Sequence, residues 1–379
     1  MSNSPLSQLH SFGQSFWYDN IQREMLQNGT LQAMIDNDDL RGITSNPSIF
    51  EKAINASTEY DESLKTYVTN TEAANGRDAF FALAIEDIQA AADLLLPVYE
   101  NSHFDDGYVS LEVSPDLAND TQATVNEAKA LFLKINRPNA MIKIPATKAG
   151  IPAIEQLIAD GININATLLF SVERYTEVAK AFISGIGQRK SRGLPVNNVA
   201  SVASFFISRV DNTVDAKLDK VGRAASHLKG KLGIANAKLA YQEFKTLFSD
   251  DAYGDLLAAG AKVQRLLWAS TGVKNPDYSD VLYIESLIGK NTVNTIPPAT
   301  AAAFNDHGTL GANLEKDVQN AKDVLSEIKK LGVNLDAIMN TLETDGINIF
   351  KKSFFNLVKS IEKKITIIST PGSTRSNVA

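Results

Sequence analysis

Eight short apolar segments rich in β-branched and aromatic residues, most of them alternating with longer amphipathic ones, predict an α/β fold. The architecture they point to is a (β/α)8 TIM barrel with additional C-terminal helices. Two further observations agree. No glycine-rich phosphate loop follows the first strand, as a doubly wound sheet would carry, and Gly185-Ile186-Gly187 lies too deep in a helix-to-loop region to be one. Beyond the eighth segment the chain turns helical.

The strands are expected, in order, at Ser15–Asp19, Gly42–Asn46, Tyr108–Ser114, Ala140–Ala146, Ile164–Phe170, Val199–Val210, Val263–Ser270 and Thr292–Ile296. Helical spacing fills the intervals over Ala79–Tyr99, Asp120–Asn136, Ile151–Asp160, Val172–Arg189 and Asn212–Ser226. After the last strand come Asn313–Leu331 and Ala337–Ile365. In the second of these, Phe350, Phe354, Leu357, Val358, Ile361 and Ile365 share one face. That stripe suits packing on the barrel's outside or across its mouth. The alternative is a membrane-surface helix, using Lys351, Lys352, Lys359, Lys363 and Lys364. Residues 1–365 read as a single barrel domain, and residues 366–379 as a flexible tail.

Composition narrows the function. The 379 residues carry a net charge of −7, which argues against a nucleic-acid partner. An acidic chain that binds an anionic substrate needs a locally basic pocket. No cysteine is present, so thiol nucleophiles and thiolate metal sites are excluded. The four histidines (His10, His103, His227 and His307) have no metal-binding spacing, so neither a metal nor another cofactor is expected. No run approaches the roughly 18 apolar residues of a membrane span, and the N-terminus resembles no export signal. The expectation is a cytoplasmic protein with no membrane partner, in which the sequons at Asn28, Asn55, Asn119 and Asn165 are chance matches.

Lys143 stands in the middle of the apolar run Ala140–Ala146. Burying an ammonium is costly, and burial pushes a lysine toward the neutral amine that attacks carbonyls to form a Schiff base. An edge strand whose lysine reaches water would explain the same residue. The other strands bear on the choice, because most carry polar groups near their C-terminal ends. Asp19 follows Phe16-Trp17-Tyr18, Asn46 ends the second strand, and Glu112 lies within the third. Asn165 and Thr167 precede Leu168-Leu169-Phe170, Ser204 precedes Phe205-Phe206, and Ser270 follows Leu267-Trp268-Ala269. Any one could be a hydrogen-bonded core group worth about 1 kcal/mol. Repeated at similar depth on strand after strand, they describe a polar floor at the catalytic mouth of a barrel.

Within that ring Lys143 is the only amine, and Glu112 on the preceding strand is suited to proton shuttling during imine formation. As a counter-charge Glu112 opposes the effect of burial on the lysine, and the net sign stays open at this stage. Asparagines offer donor and acceptor together, which matches sugar hydroxyls. Arg209, at the end of the sixth expected strand, suits a phosphate or a surface ion pair with Asp211 or Asp215.

The chain resembles the transaldolases. Gly42-Ile-Thr-Ser-Asn-Pro-Ser-Ile-Phe50 is similar to the family's N-terminal signature, and Met141-Ile-Lys-Ile-Pro-Ala-Thr-Lys-Ala-Gly150 to the segment around its Schiff-base lysine. Asn163–Ser171 and Ala203–Asp211 resemble two further strands. Leu267–Gly272 and Asn294–Thr300 look closest to the longer single-domain branch. The resemblance runs from about Ser15 to at least Phe355.

It implies an imine between Lys143 and a ketose phosphate, with Asp19 taking the C4-hydroxyl proton and Glu112 and Thr167 positioning a water. Asn46, Asn165 and Ser204 would hold the dihydroxyacetone hydroxyls, with Thr44 and Ser270 nearby, and Arg209 would bind phosphate. Better-known members carry an arginine two residues after the seventh-strand serine. Here Thr271-Gly272 follow Ser270, and Lys274 is the first cation available for a second phosphate contact. Sugar phosphates are thus the expected partners, acted on by a monomer or homodimer. A Schiff-base fructose 6-phosphate aldolase, or a sugar-phosphate-binding barrel without catalysis, are the competing functions.

Overall fold

The computed structural model describes residues 4–369. Eight parallel strands close into a barrel: β1 (Gln14–Tyr18), β2 (Gly42–Thr44), β3 (Tyr108–Glu112), β4 (Ala140–Pro145), β5 (Ile164–Leu169), β6 (Ser201–Phe206), β7 (Arg265–Ala269) and β8 (Thr292–Ile296). Each pairs with the next, and β8 returns to β1 with Tyr18 opposite Ile296. Parallel neighbours need a crossover, and the amphipathic helices between the strands supply it. Their apolar faces pack on the barrel's outer wall, which places most of the core between wall and helices.

Side chains alternate along each strand, so the barrel's contents are read two residues at a time. Trp17, Met141, Val202, Leu267 and Val293 belong to one apolar cluster inside the barrel. Two residues further along the same strands stand Asp19, Lys143, Ser204, Ala269 and Thr295, all lining the C-terminal mouth. A dry layer therefore supports a mostly polar one. Gly42 is needed in this arrangement, because a Cβ there would come within 2.5 Å of the Trp17 indole.

The expected strand Val199–Val210 was too long. β6 stops at Phe206, and Ser208–Val221 is a helix, so Arg209 lies in a first helical turn instead of at a strand end. The ladder closes where Ile207 N donates to Ala269 O and Ser208 N to Ser270 O, both at 3.0 Å. From there Val210, Val214 and Leu218 bury one side of the helix at four-residue spacing. The fifth expected helix, Asn212–Ser226, accordingly starts earlier and ends at Val221. β2 is also shorter than expected, because Asn46 leaves the sheet to cap the helix Pro47–Ala56.

The last helix runs from Leu335 to Ser369 and buries Phe350, Phe354, Leu357, Ile361 and Ile365. Phe354 meets Phe80 of the helix Gly76–Asn101 edge to face, with centroids 5.5 Å apart. The apolar stripe is therefore taken up by the barrel itself, which removes the reason to lay it on a membrane. Among the described residues, no helix is long and apolar enough to cross one. Residues 366–369 of the expected tail are helical, and 370–379 lie outside the described residues.

Candidate active site

Lys143 is 4% exposed, at the floor of a cavity of about 170 Å³ in the C-terminal mouth. Its ammonium donates to Ser45 O at 3.1 Å and lies 3.6 Å from Glu112 Oε2. The edge-strand alternative is excluded, since β4 pairs on both sides within a closed barrel. Glu112, Lys143 and Asn165 stand in direct register on β3, β4 and β5, so the sheet itself sets their mutual distances.

The two acids differ in setting. Glu112 is buried, and both its carboxylate oxygens lack a hydrogen-bond partner. Burial pushes its pKa up to about 7; Lys143 and Arg209 pull it down without cancelling the effect. Asp19 sits just past β1, its surface partly open to the cavity. Thr44 Oγ1 donates to Asp19 Oδ1 at 2.7 Å and lies 2.6 Å from Thr295 Oγ1. Burial raises the Asp19 pKa as well, against the pull of Lys143, the Thr44 hydrogen bond and Arg209.

The expected polar ring divides into two tiers. Thr44, Asn46, Ser204, Arg209, Ser270 and Lys274 line the cavity together with Lys143 and Asp19. Glu112, Asn165 and Thr167 are fully enclosed beside it. Asn165 is spoken for at both ends: Nδ2 donates to Ser110 Oγ at 3.1 Å, and Oδ1 accepts from Ser204 Oγ at 2.7 Å. Its first task is to hold Ser204. Thr167 Oγ1, by contrast, is buried without a partner. Asn46 Oδ1 accepts from the backbone N–H groups of Ser48 and Ile49, which leaves only its Nδ2 donors for a ligand.

Arg209 points into the mouth and makes no ion pair with Asp211 or Asp215. Asp211 accepts from Gly233 N at 2.6 Å, and Asp215 from Gly230 N and the Tyr278 hydroxyl. The guanidinium carbon of Arg209 lies 5.0 Å from the Phe206 ring centroid and 5.9 Å from that of Phe350, between two aromatic faces. Its Nη1 is buried with no partner, and burial lowers its pKa against Asp19 and Glu112. Unpaired buried donors of this kind are costly unless a ligand satisfies them. Ser270 Oγ is 2.9 Å from Ser208 Oγ, with its backbone in the left-handed region (φ +56°). Lys274 is exposed at the rim.

Sequence reasoning missed the apolar members of the cavity wall, Phe206 and Phe350. Phe350 was seen only as part of a core stripe, and nothing in its spacing separates a residue over the mouth from one on the wall. A larger cavity, about 670 Å³, opens around Ser15, Asp106 and Arg265 at the opposite end of the barrel. Its charges satisfy one another: Arg265 binds Asp106 at 2.8 Å, and Lys262 pairs with Asp105. No cluster of His, Asp and Glu among the described residues is arranged to hold a metal.

Comparison with known proteins places this geometry in context. The family model described as Transaldolase/Fructose-6-phosphate aldolase matches residues 16–361. A protein named Transaldolase 2 from Nostoc sp. is 45% identical over 381 residues, covering 97% of this chain and 100% of its own length. Proteins named Transaldolase from Thiobacillus denitrificans and Trichodesmium erythraeum are 46% and 43% identical, covering 92% and 96% of this chain and 97% and 98% of their own.

Proposed function

The chain belongs to the transaldolase/fructose-6-phosphate aldolase family, and from that premise we propose how its own residues carry the reaction. It is an enzyme that moves a dihydroxyacetone unit from a ketose phosphate, sedoheptulose 7-phosphate or fructose 6-phosphate, to an aldose phosphate through a lysine Schiff base. The observation that carries the residue assignment is the enclosed Lys143 amine facing Asp19 and Glu112 from the floor of the mouth.

Lys143 Nζ attacks the ketose carbonyl, and the carbinolamine loses water to give an iminium. Glu112 serves that step as a proton shuttle, since a carboxyl titrating near 7 both gives and takes a proton at neutral pH. Thr167 Oγ1 and the Glu112 oxygens, buried and without partners, are suited to hold the water involved. Asp19 then takes the C4-hydroxyl proton. The C3–C4 electron pair moves into the iminium, the aldose phosphate departs, and a three-carbon enamine stays on Lys143. Attack of this enamine on a second aldose phosphate reverses the sequence.

Ser204 and the Asn46 amide hold the dihydroxyacetone hydroxyls, with Asn165 fixing Ser204 from beneath. Thr44 orients Asp19. Arg209 binds the phosphate, and Ser270 and Lys274 complete the rim on that side. The site residues named here all belong to this chain. The substrates belong to the pentose phosphate pathway, and we assign the enzyme to the cytoplasm with them.

A coupled assay with fructose 6-phosphate and erythrose 4-phosphate tests this reading. Turnover should require the aldehyde acceptor and vanish in Lys143→Arg, whose guanidinium forms no imine. A folded Lys143→Arg variant that still turns over refutes the assignment.

A further inference from the structure

Phe350 comes from the C-terminal helix, more than 200 residues after Lys143 in the chain, yet its ring centroid lies 5.8 Å from Lys143 Nζ. The same ring lies 5.9 Å from the Arg209 guanidinium carbon and lines the cavity while only 2% exposed. One apolar side chain thus lies close to both the imine-forming amine and the phosphate-binding cation. We propose that Phe350 sets the fate of the enamine, shielding the enamine carbon from protonation by solvent so that the three-carbon unit waits for an aldose phosphate. This inference rests on the Schiff-base reading above.

The placement of the ring is fixed by packing one turn earlier. At Gly346 an added Cβ would come within 2.9 Å of Leu168 Cδ2 and 3.6 Å of Arg209 Nη1, so the absence of a side chain lets the helix settle onto the mouth. Leu168 meets it from a bulge in β5, where its φ is +62° and the register with β6 shifts. Helical spacing then brings Phe350, four residues on, to the same face as Gly346. Below the helix lies the polar floor, and the Phe206 ring also borders Arg209, at 5.0 Å from its guanidinium carbon. The Phe350 ring thus covers the amine and the guanidinium from the helix side of the cavity.

The competing step is a hydrolysis. The enamine carbon that would attack the acceptor instead takes a proton, as the nitrogen lone pair restores the iminium. Water adds to the iminium carbon and the C–N bond breaks, releasing dihydroxyacetone and returning Lys143 to its amine. One water is consumed and no oxidant or reductant is needed. Both branches end with water adding to an iminium carbon, so the step that separates them is the proton delivered to the enamine carbon, and keeping solvent from that carbon slows release alone.

The test measures free dihydroxyacetone released from fructose 6-phosphate without acceptor, against transfer to erythrose 4-phosphate, in wild type, Phe350→Leu and Phe350→Ala. Phe350→Ala should raise the release-to-transfer ratio about tenfold or more, whereas Phe350→Leu, which keeps an apolar filler, stays near wild type. Should the alanine protein fail to fold, Phe350→Val gives the same reading with less lost volume. A folded variant lacking the ring whose ratio matches wild type overturns the proposal, as does a variant in which both rates fall together. Failure of the Schiff-base reading looks different, because the wild type would then yield no borohydride-trapped adduct at all.

Discussion

Lys143 Nζ lies 3.6 Å from Glu112 Oε2, and the two residues are direct register partners on adjacent strands. The sheet's hydrogen bonds, rather than side-chain flexibility, hold an amine and a carboxyl together inside the mouth. Both are buried, and burial carries the Glu112 carboxyl up to about 7. At neutral pH a proton can thus pass to or from the acid at little cost, which is what carbinolamine dehydration asks of a shuttle.

Asp19→Asn keeps the side chain's shape and can still accept the Thr44 hydrogen bond, but it cannot take a proton. We expect kcat to fall by about 10²–10⁴-fold while imine formation, read by borohydride trapping, stays near the wild-type rate. Equal loss in both steps would move Asp19 from C–C cleavage to imine formation.

Asn46 has two tasks that substitution can separate. Serine also caps helices, so Asn46→Ser should keep wild-type stability yet lose affinity for the ketose, because the Nδ2 donors are gone. Asn46→Ala should lose that affinity and about 1 kcal/mol of stability as well. Urea midpoints and KM values for both variants check this. Unchanged KM in Asn46→Ser would leave the cap as the residue's only role.

Glu112 gives a pH signature in stability. Its folded pKa, about 7, exceeds its ordinary value near 4.5, so the folded state holds the proton more tightly than the unfolded one. The stabilisation is fully present below 4.5 and is lost as pH rises through 7. Wild type should therefore lose up to about 3 kcal/mol relative to Glu112→Gln across that window, then level off. Denaturant titrations of both proteins at several pH values measure the difference. A constant gap would mean the carboxyl is ionised throughout.

Arg209→Met removes the charge but keeps an unbranched apolar stem between Phe206 and Phe350. With a charge-assisted contact to phosphate lost, kcat/KM for ketose phosphates should drop about ten- to hundredfold. The unphosphorylated ketose should be little affected. If both substrates lose activity equally, Arg209 supports the aromatic wall rather than the phosphate.

How much of this was legible beforehand depends on which force sets each position. Lys143 and Glu112 were readable because a charge in an apolar strand is expensive and strand parity fixes which way it points. Thr167 was readable by the same parity, although the bulge at Leu168 that follows it was not. Arg209 was identified as a site residue but placed on the wrong element, because the apolar run Phe205-Phe206-Ile207 continues into Val210 without a breaking residue. Only the barrel's closure ends the ladder there. Asn165 was expected to meet the substrate, and its parity is right; Ser110 and Ser204 take one bond at each end of its amide, leaving a second N–H and a second lone pair. Phe350 was legible as one residue of an apolar stripe bound for the barrel's outside or its mouth, with nothing to single it out. What seats it above Lys143 is the fit of Gly346 on Leu168, a contact between segments far apart in the chain.

The claim beneath all of this is that a single enclosed amine bonds to the ketose. Incubation with fructose 6-phosphate and borohydride, followed by peptide mass mapping, measures it directly. We predict a reduced three-carbon adduct on the peptide carrying Lys143 and on no other lysine. An adduct elsewhere, or none under conditions of turnover, would contradict the account.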